Sequence, residues 1–527
     1  MLVKLLNSSG AGVSQIPVPV LKLLADQISP ILASLFNKCI YTRSIPNEWK
    51  TAIVTALFKN KGSFNDINNY RTISVLPPID KIFEKILASQ IVTYFDQNNL
   101  FYSGQYGFRS NHSCELALHK IISDINEARN NRLIVMLLFI DFRKAFDLVD
   151  SSLLLKKLSL YGFCQNSIGL LSNYFESRSQ IVKFSDAISE SCPVALGVPQ
   201  GSCLGPILFL IFINDLPHML NSTAFTMFAD DSSDFLSNDN FDELMANFIS
   251  NTNQLSKWCK LNRFDINWSK TEIMFISNKR NLDFPELINI DNHLVKVVTE
   301  FKLLGIIIDS KLNFKSHINS IKLSVNKRLY AINDLFYLSF SVRIQFFKTF
   351  ILPFFDYCNS LLIYFPKYSI QRLSNLYYIC LFKLLNLVSL SGNDFLSFNE
   401  MLCNYNLNCF QFRFLKKLVN FSYDIVNNDT IPLDLRNKII FNYQLDKQHD
   451  LRNNKHIALP SISNFNSYGN STFSYFFCKF INNVCINNLK LDQSSFTQFL
   501  NNNIDKIYSV FITNFDKFNL NYINPNF

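Results

Sequence analysis

Apolar residues recur along this chain at two spacings, and the switches between them predict its elements. Val20, Leu23, Leu24, Ile28, Ile31, Leu32 and Leu35 form a helical stripe that Pro30 interrupts, and Ile53, Val54 and Leu57 form a short strand after Trp49. Residues 62–69 are a polar turn region. Pro77 and Pro78 then open a helix whose apolar face is Ile79, Ile82, Phe83, Ile86, Leu87, Ile91 and Phe95. Residues 133–140 are uniformly apolar and rich in strand formers, which suits a central strand buried on both faces; it runs straight into Asp141. A helix over 151–161 ends at Gly162. Short strands flank 185–191, and the turn-prone stretch 196–202 leads to a helix with Pro206 in its first turn, running to about Leu216. Two apolar runs, 224–228 and Phe235-Leu236, enclose Ala229-Asp230-Asp231-Ser232, predicting a hairpin with two acids at its tip. A helix over 242–261 and a strand over 271–276 follow. Ile318, Ile321, Val325, Leu329 and Ile332 are again helically spaced, with Lys322, Lys327 and Arg328 off the stripe. Past residue 390 asparagine becomes frequent and the pattern fades.

Composition narrows the class. A chain of 527 residues suggests two to four domains or one multi-lobed unit, at roughly 150 residues per domain. With 48% hydrophobic and 17% charged residues it is a packed protein and not a disordered one. The longest clean apolar runs, 133–140 and 207–213, fall far short of the ~20 residues that cross a bilayer. Residues 335–365 are broken by Arg343, Lys348 and Asp356, so a buried helix is expected there. No signal peptide is evident, which predicts an intracellular address, nuclear or cytoplasmic. The 12 cysteines include no C-x-x-C pair, so no zinc ribbon is indicated. A net charge of +9 favours a polyanionic partner, but only mildly.

The candidate chemistry lies in three acids. Asp141 ends the buried strand, and Asp230 and Asp231 sit at the hairpin tip. Carboxylates gathered at strand ends repel one another unless a divalent cation neutralises them. Two such ions, about 3.5–4 Å apart, stabilise the attacking and leaving oxygens of an in-line phosphoryl displacement. One or two adjacent Asp pairs are expected from composition alone, so the pair itself is weak; order and neighbourhood carry the signal. Asp141-Phe-Arg-Lys-Ala-Phe-Asp147 is followed by Gly197-Val-Pro-Gln-Gly-Ser-Cys-Leu-Gly-Pro206, by Phe228-Ala-Asp-Asp231, by Asn267-Trp-Ser-Lys-Thr271 and by Phe301-Lys-Leu-Leu-Gly305.

That series resembles the successive motifs of reverse transcriptases, and among them those of non-LTR retrotransposons of the jockey and CR1 type. Upstream, Trp49-Lys50, Leu57-Phe-Lys59 and Asn69-Tyr-Arg-Thr-Ile-Ser-Val-Leu76 are similar to the family's fingers segment, and Ser103-Gly-Gln-Tyr-Gly-Phe-Arg-Ser110 to a further signature. The likeness covers roughly residues 15–390 and continues more loosely through Leu459-Pro-Ser461 and Ser467-Tyr-Gly-Asn-Ser471. The resemblance implies that Asp141, Asp230 and Asp231, with the backbone carbonyl of Phe142, hold two Mg²⁺ ions, for which Mn²⁺ is a substitute. It implies that Phe146 is a steric gate beneath the sugar, that Gln200 and Gly201 line the nucleotide, and that Arg71 and Lys59, or Lys61 in place of Lys59, hold the triphosphate. Lys270 matches the lysine assigned to protonate pyrophosphate. Gly305 marks the primer-grip hairpin, and the helix around Lys322 and Arg328 the thumb. A core phenylalanine at 146, a plain turn at 200–201 and a solvated lysine at 270 are the plainer readings of the same residues.

The expected architecture is an α/β right-hand polymerase. An N-terminal fingers extension would cover residues 1–50, fingers and an α+β palm 51–310, a helical thumb 311–390, and a region of unknown role 391–527. Expected partners are an RNA template, a DNA primer and deoxynucleoside triphosphates, with no membrane. Few residues precede the likeness, so the endonuclease of a mobile element is expected from elsewhere. Thr72, Phe228, Ser232-Ser233 and residues 10–15 depart from the family pattern. They keep open a decayed copy that only binds nucleic acid, while an RNA-dependent RNA polymerase is the other alternative.

Overall fold

The structure, a computed structural model, describes residues 2–7, 10–60, 62–279, 282–334, 337–385, 401–428, 431–439, 457, 472–485 and 491–520. Helices α1 (Val18–Leu23) and α2 (Ala25–Thr42) precede strand β1 (Thr51–Phe58), which turns back as β2 (Tyr70–Val75). The helical stripe is not broken at Pro30, which falls in the second turn of α2; the chain breaks at Leu24 instead. Helix α3 (Pro78–Gln97) starts on Pro78 as the prolines require. Helix α4 (Cys114–Asn130) begins where the Ser113 hydroxyl accepts the Leu116 amide at 3.2 Å.

Strand β3 (Ile134–Ile140) is buried at all seven positions and is followed by α5 (Ser151–Leu160) and α6 (Gln165–Phe175). The short strands β4 (Ser179–Phe184), β5 (Ala187–Ile188) and β6 (Cys192–Pro193) lead into α7 (Gly205–Ile213). The hairpin β7 (Ala224–Phe228) and β8 (Asp231–Asn238), helix α8 (Phe241–Asn262), and strands β9 (Glu272–Ile276), β10 (Leu287–Ile290) and β11 (His293–Val297) come next. A second hairpin, β12 (Glu300–Leu303) and β13 (Ile306–Asp309), precedes α9 (Lys315–Asp334). The helix expected over 335–365 is found as α10 (Phe340–Phe346) continued by a π-helical stretch (Phe347–Ile351), a short α-helical turn (Pro353–Asp356) and a 3-10 helix (Asn359–Tyr364), followed by α11 (Lys367–Leu385), α12 (Phe410–Asn427), α13 (Phe473–Phe480) and α14 (Gln493–Asn514).

Among the described residues the strands form two larger sheets and one separate hairpin. One sheet runs β2-β1-β4-β5 with β6 beside β4; the other runs β10-β11-β9-β3-β8-β7. Strand β3 is antiparallel to both neighbours, β8 and β9. A strand with neighbours on both edges and cover on both faces must be apolar throughout, which is why residues 134–140 lack alternation. Helices α3, α5, α7 and α8 pack on one side of this sheet, and α4 with α9 to α14 form the apolar mass on the other. Helix α4 is thus buried nearly all round, and His119 on it, held by Tyr364 and Ser360, has no exposed surface. The described parts of residues 391–527 belong to this second apolar mass. Residues 459–461 and 467–471 lie outside the described residues. No described helix is long and apolar enough to cross a membrane.

Candidate active site

The site is assembled by the ends of β3, β8 and β9. The β3–β8 ladder closes with Ile140 opposite Ser232. One residue beyond the ladder lie Asp141 and Asp231, whose carboxyls are close enough to interact electrostatically. On the other edge, Phe139 faces Glu272 on β9. The Asp141 N–H donates to the Thr271 hydroxyl at 3.4 Å, and the Asp141 carbonyl accepts the Asn267 N–H at 2.7 Å. These contacts bring Lys270 round so that its Nζ stands 3.5 Å from Asp141 Oδ2. Phe142 is buried against Phe264, and the Arg143 N–H donates to the Asp265 carbonyl at 2.9 Å, which leaves the Phe142 carbonyl out of these bonds.

Phe228 pairs with Asp231, so Ala229 and Asp230 form the two-residue turn between β7 and β8. Ala229 has φ +58°, a left-handed conformation that costs a side-chain-bearing residue about 1–3 kcal/mol and persists only when its surroundings impose it. The imposing residues come from the 103–110 signature. Gln105 bridges Met227 in parallel, flanked by the Met227 N–H to Gly104 carbonyl and Tyr106 N–H to Met227 carbonyl bonds, each 2.8 Å. The Gln105 side-chain oxygen then accepts the Ala229 N–H at 3.0 Å.

The electrostatics are those of crowded acids. Burial, then Asp230, then Asp141 push the Asp231 carboxyl up to about 6, although one side of it meets solvent. Asp230 is likewise raised, chiefly by burial and by Asp141, while Arg71 pulls it back. Arg71, exposed on β2 opposite Leu57, is therefore within electrostatic reach of the hairpin tip. Among the described residues no three His, Cys, Asp or Glu side chains already close around one point. The donor set, three hard oxygen donors of like charge with burial against them, fits a divalent cation such as Mg²⁺.

Phe146 is half-buried, its ring stacked on Phe209 at 4.4 Å and edge-on to Phe108 at 6.2 Å. Its carbonyl accepts the Val198 N–H at 2.8 Å, tying it to the 197–202 loop. In that loop Gln200 donates to Asp147 at 2.9 Å through its side chain and accepts the Ser74 N–H at 2.7 Å through its carbonyl. Gly201 has φ +127°, and a Cβ there would lie 2.4 Å from the Ser74 carbonyl, so the missing side chain admits strand β2. Lys59 donates to the Asn68 carbonyl at 2.9 Å, next to its own turn. Lys61 lies outside the described residues. In the β12–β13 hairpin, Leu304 and Gly305 take φ +45° and +88°, and the Tyr357 hydroxyl donates to the Leu304 carbonyl at 2.5 Å.

Two residues escaped the sequence reading. Glu84, buried in α3, accepts the Cys203 N–H at 2.6 Å and the Tyr174 hydroxyl at 2.7 Å, fixing the entry to α7. Nothing in the apolar stripe of α3 marks it. Gln105 lay inside a quoted motif, but only the folded chain gives it a task.

The family described as reverse transcriptase (RNA-dependent DNA polymerase) matches residues 58–308. The chain is 28% identical over 365 residues to a probable RNA-directed DNA polymerase from transposon X-element of Drosophila melanogaster, covering 68% of this chain and 40% of that protein. It is 26% identical over 344 residues to the RNA-directed DNA polymerase from mobile element jockey of the same species, covering 63% and 37%. The jockey polymerase of Drosophila funebris matches at 27% over 345 residues, again 63% and 37%. The chain thus spans about two fifths of the length of these relatives. Residues 58–308 thus match the reverse transcriptase family, and the relatives just named are described as RNA-directed DNA polymerases of transposable elements.

Proposed function

We propose that this chain is an RNA-directed DNA polymerase of a non-LTR retrotransposon, extending a primer 3′-hydroxyl with deoxynucleoside triphosphates on an RNA template inside the cell. The observation that carries the reading is the meeting of Asp141 with the Asp230-Asp231 turn at adjoining strand ends, with Lys270 and Arg71 facing them. In this reading residues 51–310 supply fingers and palm and 311–390 the thumb. Residues 1–50 extend the fingers, and 391–527 form a C-terminal region without an assigned role.

Asp141, Asp230, Asp231 and the Phe142 carbonyl would hold two Mg²⁺ ions. Bound there, the cations supply neutralisation of the acids and stabilisation of the attacking and leaving oxygens. The remaining work falls to the chain. Arg71 takes the triphosphate charge with its forked donors, and Lys59 joins as a point charge on leaving the Asn68 carbonyl. Gln200 and Gly201 line the nucleotide, and Phe146, backed by Phe209, fills the space that a 2′-hydroxyl would need. The primer 3′-oxygen, its proton passing to solvent, bonds to the α-phosphorus as the bond from that phosphorus to the bridging oxygen breaks, and Lys270 gives a proton to the departing pyrophosphate oxygen.

The test is primer extension on poly(rA)/oligo(dT) across a Mg²⁺ titration, comparing the native chain with Asp230→Ala. Mg²⁺-dependent extension by the native chain and none by the variant is expected. Equal activity in both refutes the assignment, and inactivity of both with salt-sensitive duplex binding makes the chain a binding protein without turnover.

A further inference from the structure

Ladder pairing between β7 and β8 ends at Phe228 and Asp231. The Ala229 N–H, in the turn Ala229-Asp230, is therefore outside the ladder's own hydrogen bonding and needs another acceptor. Gln105, 1% exposed, supplies it: its Oε1 accepts the Gly107 N–H at 2.8 Å and the Ala229 N–H at 3.0 Å. One oxygen thus ties the turn to the backbone that approaches it. That approach is close enough that a Cβ on Gly107 would lie 2.3 Å from the Ala229 nitrogen.

The chemistry of the side chain is informative. A backbone donor beside crowded acids could be satisfied by a carboxylate, but that would add a further negative charge to a turn already carrying two. An amide offers the same oxygen without charge. The other end of this amide, Nε2, is buried and has no hydrogen-bond partner, so it is the oxygen that the site uses. A buried donor left unpaired is costly, and its retention fits a residue held for what its oxygen does.

We propose that Gln105 is a positioning residue of the polymerase site: its side-chain oxygen clamps the Ala229 amide and so sets where Asp230 and Asp231 stand relative to Asp141. This deepens the polymerase reading and rests on it. Gln105 touches no reacting atom; it acts through the turn.

Two measurements on the full chain decide it. Hydrogen exchange of the segment 225–231 is compared between the native chain, Gln105→Met, which keeps the volume and removes the acceptor, and Gln105→Glu, which keeps an oxygen there. Exchange of the Ala229 amide is expected to rise about tenfold in the methionine variant, the size of one lost buried hydrogen bond, and to stay protected in the glutamate variant. In primer extension, Gln105→Met is expected to lower kcat about 100-fold, as a misplacement near 1 Å does, with dNTP KM and duplex Kd within about threefold of native. Native-like exchange in the methionine variant overturns the clamp. Native-like kcat, or a kcat loss matched by an equal loss of duplex binding and a collapsed melting temperature, overturns the positioning role. A native chain that extends no primer refutes the polymerase reading, and the exchange measurement then still decides whether Gln105 holds the turn.

Discussion

Adding one methyl group at Gly107 tests the geometry of the site with the least chemistry. Gly107 does not have a positive φ, so alanine meets no backbone strain there. What it meets is the turn: its Cβ would lie 2.3 Å from the Ala229 nitrogen, 2.9 Å from the Phe228 carbonyl carbon and 3.0 Å from the Ala229 Cα. All three are backbone atoms, and none can swing aside as a side-chain end would. Ordinary contact begins near 3.4 Å, so the turn and the 104–107 segment must part by about 1 Å. Overpacking of this kind costs about 1–3 kcal/mol of stability, which lowers the melting temperature by a few degrees. The larger effect falls on chemistry. A displacement near 1 Å of the two acids costs about 100-fold in rate, or about 2.7 kcal/mol of barrier. The assay is single-nucleotide incorporation at saturating dTTP and Mg²⁺, with duplex binding and thermal melting measured beside it. Gly169→Ala is the control, since there the added Cβ meets the Cδ of Arg43 at 2.9 Å, the flexible part of a side chain far along the chain from the acids. Gly107→Ala with native turnover, or with loss confined to duplex binding, refutes the reasoning that this contact fixes the acids.

Lys270→Gln removes the ammonium 3.5 Å from Asp141 and is expected to reduce kcat about 100-fold with little change in dNTP KM; an unchanged kcat assigns Lys270 to the solvated surface. Phe146→Val opens the space above Phe209 and is expected to raise ribonucleotide incorporation relative to deoxyribonucleotide, measured by competition; unchanged sugar selectivity counts against the gate. Asp234, buried on β8 with Oδ1 lacking a partner, has its carboxyl pushed up to about 6 by burial against the bonds from Ser222 and Asn251. Its neutral form is the better-tolerated one. The fold therefore has full stability from it below about pH 4 and loses up to about 3 kcal/mol as pH rises through 6. Asp234→Asn is expected to raise the melting temperature at pH 7.5 and to change it little at pH 4; equal shifts at both pH values refute the linkage.

The sequence was most readable where one element buries one simple surface. Strand β3 shows as an unbroken apolar run because it has neighbours on both edges, and the β7–β8 turn shows because two acids interrupt apolar β-formers. The period failed where burial ceased to be one-sided. Helix α4 is covered nearly all round, and its polar residues His119, Ser123, Asn126 and Arg129 are buried, so the polar positions of its sequence do not mark an exposed face. The strands β10 and β11 are short, with alternation too brief to stand out. Pro30 reads as a break although α2 accommodates it within its second turn.

The residue types and their order along the chain determined the chemistry available to this protein: carboxylates at strand ends, cations upstream and downstream, an aromatic five residues after the first acid. Which of them meet was decided by the folded chain alone. Asp141 faces Asp231 because of the β3–β8 register, Lys270 reaches Asp141 because β9 pairs on the other edge, and Lys59, equally plausible by position, turns to Asn68. Gln105 acquires its partner from a turn more than one hundred residues away. Local spacing encodes what each segment buries. Contacts between distant segments depend on pairing and packing across the whole sheet, which no short window of the chain contains.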